Sequence, residues 1–568
     1  VGSEMCIRDR DRNMKKLYRF SAIALLVLPL VFTSCSDYLD RDDDDNITEA
    51  DVFARYEKVN GLVSDVYAAA KKADRPLVFF EHFSNSAITD ECEGTNVEGN
   101  ITNNFNNGAW NPNSLPGSVG QYWEALYEGI RKANLIIENV QKYNTPDNPQ
   151  QDGDLRNRIG EMYFMRGYFH MLLLRMYGEA PYIDRVINAG DNMDFKKESV
   201  HSMVEKIVTD AQTAYGMVPN KYVKTSENFG RVDKGACLGL ISFVRWVAAT
   251  PLWNGASQYG YNLRRVFENE YAYDATRWRK AKEAAKAVLD FEVGGTKRYS
   301  LYTKHDANDF KDPADGNLND SRVYARLWDM FYDMDAFANE YVFFMTKSKD
   351  QAWQGDIYPP SREGSSRQQP VQEQVDEYEY IVGDYGYPVY SAEARKGGYD
   401  DTNPYVKGTR DPRFYRDVIY HGAPYRNNKN ESKTINTASG SDKIGATNAT
   451  TTGYYLRKFQ QESWNKSGNF SINAPAIWRL PEFIYIYAEA CNELGEDIDE
   501  AYKLVNTVRE RSFMKPMPPE VKTNQQLMRE YIQRERRVEL FYEGKRPWTC
   551  RLYLEPTSKE ELAKESLW

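Results

Sequence analysis

Apolar residues recur at three- and four-residue steps through the first half of the chain, the spacing of helices that each bury one face. Between 122 and 142 the stripe is Trp123, Leu126, Tyr127, Ile130, Ile137 and Val140. Residues 155–177 are apolar on most sides (Ile159, Met162, Tyr163, Phe169, Leu172, Leu173), which predicts a central helix. Gly178-Glu179-Ala180-Pro181 ends it, with proline just beyond as a stop signal. Val200, Met203, Val204, Ile207, Val208, Ala211 and Tyr215 predict the next helix. Asp233 reads as the N-cap of a helix over 234–249, closed by Thr250-Pro251. Trp278, Ala281, Ala285, Val288 and Leu289 mark another.

From about 254 to 473 the periodicity fades. Gly, Asn, Pro and Tyr become frequent, and residues 427–452 are so polar and small that they read as an exposed or mobile loop. The run 341–345 is strand-like. Helices return near Leu480, with Phe483, Ile486, Tyr487, Ala490 and Leu494 on one stripe. Gly495 breaks that stripe, and Ala501, Leu504, Val505 and Val508 form the next. Short antiparallel helices joined by a tight Gly turn are the unit of tetratricopeptide-type stacks. A helix over 525–541 reads as the last. The pattern predicts a mainly α fold: a helical scaffold over 51–253 and 474–568, with a loop-rich insertion over 254–473.

The N-terminal region reads as an address, not as fold. Lys15, Lys16 and Arg19 precede an apolar stretch from Phe20 to Phe32, then Thr33-Ser34-Cys35. That is the layout of a secretory signal, too short to span a bilayer of roughly 30 Å. A cysteine directly after the small residues makes it a lipoprotein signal, with Cys35 taking the lipid. Residues 1–13 fit neither signal nor domain and read as upstream read-through before Met14. Residues 35–50 form an acidic linker, and Asp40 with Asp42–Asp45 resembles the tag that sends some lipoproteins to the outer face of the outer membrane.

Residues 1–34 hold six Lys/Arg and three Asp/Glu; the rest has 67 basic and 80 acidic residues, a net charge of −13. Such a surface repels nucleic acid, whose binding needs basic clusters. Cys92, Cys237, Cys491 and Cys550 are far apart without C-x-x-C spacing and are expected as buried thiols. The 41 tyrosines suit a wet recognition surface or the rim of a large helical core.

No catalytic constellation is visible. The five histidines (His82, His170, His201, His305, His421) show no metal spacing, and His170 falls in a greasy helix where a core role is expected. There is no nucleophile elbow, no P-loop and no dinucleotide fingerprint. Asp90-Glu91 adjoin in a loop and read as solvated or capping groups. Glu535-Arg536-Arg537-Val538-Glu539 reads as an ion-pair network between neighbouring helices. No cofactor and no metal are expected.

Several segments, in order, resemble the SusD/RagB family of outer-membrane nutrient-binding lipoproteins. They are Cys35-Ser-Asp-Tyr-Leu-Asp40, Tyr127-Glu-Gly-Ile-Arg-Lys-Ala-Asn134 and Met165-Arg-Gly-Tyr-Phe-His170 running to Pro181. Then come Ala248-Ala-Thr-Pro-Leu-Trp-Asn254, Tyr487-Ala-Glu-Ala-Cys-Asn-Glu-Leu-Gly495 and Glu535-Arg-Arg-Val-Glu-Leu-Phe-Tyr-Glu-Gly-Lys-Arg546. The resemblance implies a tetratricopeptide-like α-α superhelix with a variable ligand face, an oligosaccharide or other nutrient as cargo, and a SusC-like TonB-dependent transporter as partner. Pro547-Trp548-Thr549-Cys550-Arg551 departs from the family's usual run, and the family continues for several dozen residues past Trp568, so a truncated C-terminal part is expected.

Sugars stack their C–H faces on aromatic rings and hydrogen-bond through hydroxyls, which points to aromatic side chains in polar loops. Trp110, with Asn106 in the same Asn-rich loop, is the first candidate; the resemblance places a stacking aromatic there. Trp353 and Tyr358 form a second region and Trp328 a third. The expected activity is capture without catalysis. A surface glycoside hydrolase and a peptide- or glycoprotein-capturing member of the same fold are the alternatives.

Overall fold

A computed structural model describes residues 48–74, 84–95, 101–110, 117–143, 149–222, 227–259, 265–304, 327, 329–345, 355–406, 408–426, 432–460 and 476–554. The apolar stripes become helices: α1 Glu49–Phe53, α2 Tyr56–Ala73, α3 Ile101–Asn106, α4 Gly117–Tyr143, α5 Pro149–Tyr177, α6 Val200–Met217, α7 Lys234–Ala249 and α8 Ala275–Leu289. Past a short α9 (Met334–Asn339) come α10 Leu480–Leu494, α11 Ile498–Arg511, α12 Gln525–Glu539 and α13 Arg546–Tyr553. Asp233 caps α7, its carboxylate accepting from the Ala236 N–H at 3.1 Å. Gly495 ends α10 at φ +67°, a left-handed turn that favours glycine.

Each long helix packs on the next. α4 lies on α2 and α5, α6 on α5 and α7, α8 on α7 and α10, and α10 on α11 and α12. This is the stacking of helix pairs expected of a tetratricopeptide-like frame. α5 is buried on most sides, with Met162, Phe164, Met165, Tyr168, Phe169 and Leu172 shielded from water. α4 approaches it so closely at Gly129 that a Cβ there would lie 2.5 Å from the Phe169 ring. His170 is a core residue: Nδ1 donates to the Arg166 carbonyl at 2.8 Å and Nε2 accepts from the Ile183 N–H at 3.0 Å. Burial pushes its pKa down to about 3, so it stays neutral.

Between the helical ends, strands are short and paired locally. The strand Tyr341–Phe344 pairs with the strand Ala476–Arg479, which leads directly into α10. β1 Ile88–Thr89, β2 Cys92–Gly94 and β3 Gln368–Pro370 make one antiparallel sheet, linking the front of the chain to the loop-rich part.

Three expectations are corrected. α13 follows the helix read as the last; Pro547 is tolerated in its first turn, where no intrahelical N–H is needed. The polar run 427–452 is corrected only in part: most of its described residues are exposed turns, as expected, but 432–434 pair with 424–426, and Ile435, Thr437, Asp442 and Thr450 are buried. Their polarity is absorbed by local hydrogen bonds, such as Gly453 N–H to Thr450 Oγ1 at 3.0 Å. Cys92, Cys237 and Cys491 are buried free thiols, but Cys550 is only half-buried.

The ion-pair network extends well beyond neighbouring helices. Glu539 of α12 meets Arg413 at 3.3 Å, Arg479 at 2.9 Å, and Arg511 of α11. Arg479 also holds Glu340 and Glu543 at 2.7 Å each, and Lys458 holds Glu543 at 2.9 Å. Glu535 pairs with Arg413 at 2.9 Å and with Arg509. All these side chains are almost completely buried. Burial alone would raise the Glu539 carboxyl, yet the surrounding guanidinia hold it well below its ordinary range. Arg413, Lys458 and Glu340 belong to the loop-rich part, so the network fastens that part to α11 and α12.

Candidate ligand platform

The β1–β2 hairpin turns at Asp90-Glu91, and one face of its sheet rests on a core that includes Cys92, Tyr302, Met330 and Tyr341. Just before the hairpin, buried Ala87 gathers Ile88, Ile101 of α3 and Trp110 against it. Gly108 at φ +70° reverses the chain after α3 and brings Trp110 back over the helix. The Phe105 ring meets the indole edge-on, centroids 5.0 Å apart at 87°. Asn106 Nδ2 donates to the Ala87 carbonyl at 3.2 Å, pinning α3 to the hairpin. Trp110 is half-buried, and Asn104, Asn106 and Asn107 of the same segment are exposed. A fixed, partly open indole among amides can stack a sugar ring and hydrogen-bond its hydroxyls.

The hairpin is held from below. Arg546 Nε and Nη2 both donate to Asp90 at 2.7 Å, and Arg537 pairs with Asp90 at 3.0 Å. Asn85 Nδ2 donates to the Gly544 carbonyl at 3.2 Å. Burial opposes ionisation of Asp90, but the two guanidinia override it and hold its pKa at about 2. The segment after α12 is thus wired to the turn beneath the platform through Asp90.

Glu91 is different. It is 1% exposed, and burial pushes its pKa up to about 7. A carboxyl raised in the folded state favours folding fully below its unfolded value near 4.5, and that contribution is lost as pH rises through 7. Glu91→Gln is therefore expected to gain on the wild type by up to about 3 kcal/mol between pH 5 and pH 8. Denaturant unfolding at both pH values checks this; a difference independent of pH would contradict it.

The other expected positions are not gathered at this platform. Trp328 and Trp353 lie outside the described residues, as does Cys35. Tyr358 is described and fully buried among Ile419, Tyr425, Ile435 and Tyr455, so it offers no face to a ligand. The chain wraps it: Ser366 N–H donates to its carbonyl at 3.1 Å, and a Cβ on Gly364 would lie 2.0 Å from that oxygen. Phe105 was not anticipated; its place three residues after Thr102 in a short helix ahead of Gly108 was the available signal.

A separate cleft, about 540 Å³ of empty space, is lined by Phe229, Phe337, Phe344, Tyr222 and Arg231. Its Arg231 is already paired with Glu161 at 2.8 Å. Among the described residues, no group of three or more His, Cys, Asp or Glu could hold a metal ion, and no helix is long and apolar enough to cross a membrane.

Two family models match the chain in order. One, described as "Starch-binding associating with outer membrane", covers residues 37–244; the other, described as "SusD family", covers 334–551. SusD-like protein P38 of Formosa agariphila is 23% identical over 207 residues, 35% of this chain and 38% of that protein. The chain thus matches well under half the length of this curated relative. A solved SusD-like protein from Bacteroides fragilis shares the fold at TM-score 0.68, with 19% identity over 89% of this chain and 88% of its own. A laminarin-binding SusD-like protein does so at TM-score 0.53, with 16% identity over 90% and 94%. With both halves matched in register and the helical frame shared along nearly the whole length, the chain belongs to the SusD/RagB family.

Proposed function

We propose that this protein is a lipid-anchored glycan-binding protein of the outer cell surface, which captures an oligosaccharide on Trp110 and passes it to a SusC-like TonB-dependent transporter without altering it. The observation that carries this reading is the Trp110 platform: a half-open indole in an asparagine-rich segment, held by Phe105 and Ala87, next to a hairpin clamped by Arg537 and Arg546. Such rigidity lowers the ordering cost of binding. The family description as starch-binding and the laminarin-binding neighbour support a neutral glucan as first probe. Cys35 after Thr33-Ser34 supports the lipid anchor, and its acidic linker supports the outer leaflet.

Affinity electrophoresis through laminarin and through starch tests the site. A stacking Trp of this kind is worth about 2 kcal/mol, so Trp110→Ala is expected to weaken retardation about 30-fold. Unchanged retardation would move the site away from Trp110. Glycan shortened by the purified protein would instead support a hydrolase, which needs two carboxyls about 5–10 Å apart across the bond.

A further inference from the structure

Beneath the β1–β2 turn lies a cavity with about 330 Å³ of empty space, lined by residues of α12 and α13. Arg536, Arg537, Lys545 and Arg546 line it, against a single carboxyl, that of Glu91. Three of these cations are already matched: Arg537 and Arg546 by Asp90, and Lys545 by Glu482 at 2.9 Å. Arg536 is not fully used. It is 4% exposed and its Nη2 donates to Glu489 at 3.3 Å, but its Nη1 is buried without a hydrogen-bond partner among the described residues. Glu91 is in the same condition, 1% exposed with Oε2 buried and unpartnered. A guanidinium N–H and a carboxyl oxygen left open on one cavity each cost free energy until something meets them. Gln533, half-buried on α12, adds a side-chain amide to the same wall.

We propose that this cavity is a halide site, in which Arg536, Glu91 and Gln533 together hold a chloride ion beneath the hairpin. Burial pushes the Glu91 pKa up to about 7, so below that pH its carboxyl carries a proton and donates through its O–H. Two or three donors suffice for a monatomic anion, whereas each oxygen of a phosphate or sulfate calls for donors of its own. Ionised Glu91 repels the ion, so affinity falls as pH rises through 7. The groups facing Glu91 keep their charge over that range: Asp90 in its own turn, with a pKa of about 2, Arg537 of α12 and Arg546 of α13. The Cys92 thiol on β2 is kept neutral by burial. Chloride held there is independent of whatever Trp110 stacks.

The test uses the purified chain beginning at residue 36. Crystals soaked in sodium bromide at pH 5.5 should show an anomalous bromine peak in the cavity, in contact with Arg536 and Glu91. At pH 5.5 the melting temperature in sodium chloride should exceed that in sodium gluconate of equal ionic strength by about 2 °C. The gap should close at pH 8.5. Glu91→Gln supplies an amide that donates at every pH, so in that variant the gap should persist at pH 8.5. A cavity holding only water after the soak, or equal melting in chloride and gluconate at pH 5.5, would overturn the site. A gap in Glu91→Gln that still closes at pH 8.5 would overturn the part assigned to Glu91.

Discussion

Glu539→Gln should destabilise the fold by about 3–5 kcal/mol, the cost of leaving buried charges without their partner. Three guanidinia converge on this carboxylate: Arg413, Arg479 and Arg511, each at most 1% exposed. Gln preserves volume but supplies no charge, so cations already taken out of water lose the group that offsets their desolvation. The exposed pair Lys196–Asp194, at 82% and 67% exposure, is the control; Asp194→Asn should cost under about 1 kcal/mol because water and salt already screen it. Denaturant unfolding compares the two. Because Arg413 and Glu340 lie in the loop-rich part, loss of Glu539 should also loosen that part before the helices unfold, visible as early hydrogen exchange near 411–419. Equal midpoints for Glu539→Gln and Asp194→Asn would show that the network contributes nothing.

The second large effect concerns where the protein resides. The proposed attachment rests on acyl chains at Cys35, which follows Thr33-Ser34. Each buried methylene contributes about 0.8 kcal/mol, and anchoring becomes stable only with more than one chain. Cys35→Ser removes every chain at once, so membrane association should fall from nearly complete to background. Incorporation of labelled palmitate, with fractionation of cells expressing either form, reads this out. Equal recovery of both forms in the membrane fraction would rule out Cys35 as the anchor.

Local periodicity made the helices legible. Stripes such as Val200–Tyr215 and the Asp233 cap depend on neighbours three or four residues away, which the sequence displays directly. What the sequence hid was long-range. Tyr358 sits in a Gly- and Pro-rich stretch that looks exposed, yet its shell comes from Ile419, Tyr425, Ile435 and Tyr455. The 535–539 run was readable as ion-paired, but not its reach to Arg413, Arg479 and Glu340, since charge carries no record of a distant partner. The same holds for Asp90 and Arg546, which meet across most of the chain. α13 follows the helix read as the last; its Pro547 sits in the first turn, where proline is suited. For the platform, the polar loop and the family resemblance pointed to Trp110 and Asn106 as candidates; the Phe105 ring against the indole became apparent only once α3 was folded.

Capture without cleavage is best examined in a single vessel. Purified protein beginning at residue 36 is titrated into a neutral glucan that retards it, with heat recorded, and the glucan is then recovered and sized by chromatography. Saturable heat in the wild type, lost in Trp110→Ala, together with an unchanged chain-length profile, is the predicted result. A profile shifted to shorter chains, or the same heat from both proteins, would contradict a sugar held intact on Trp110.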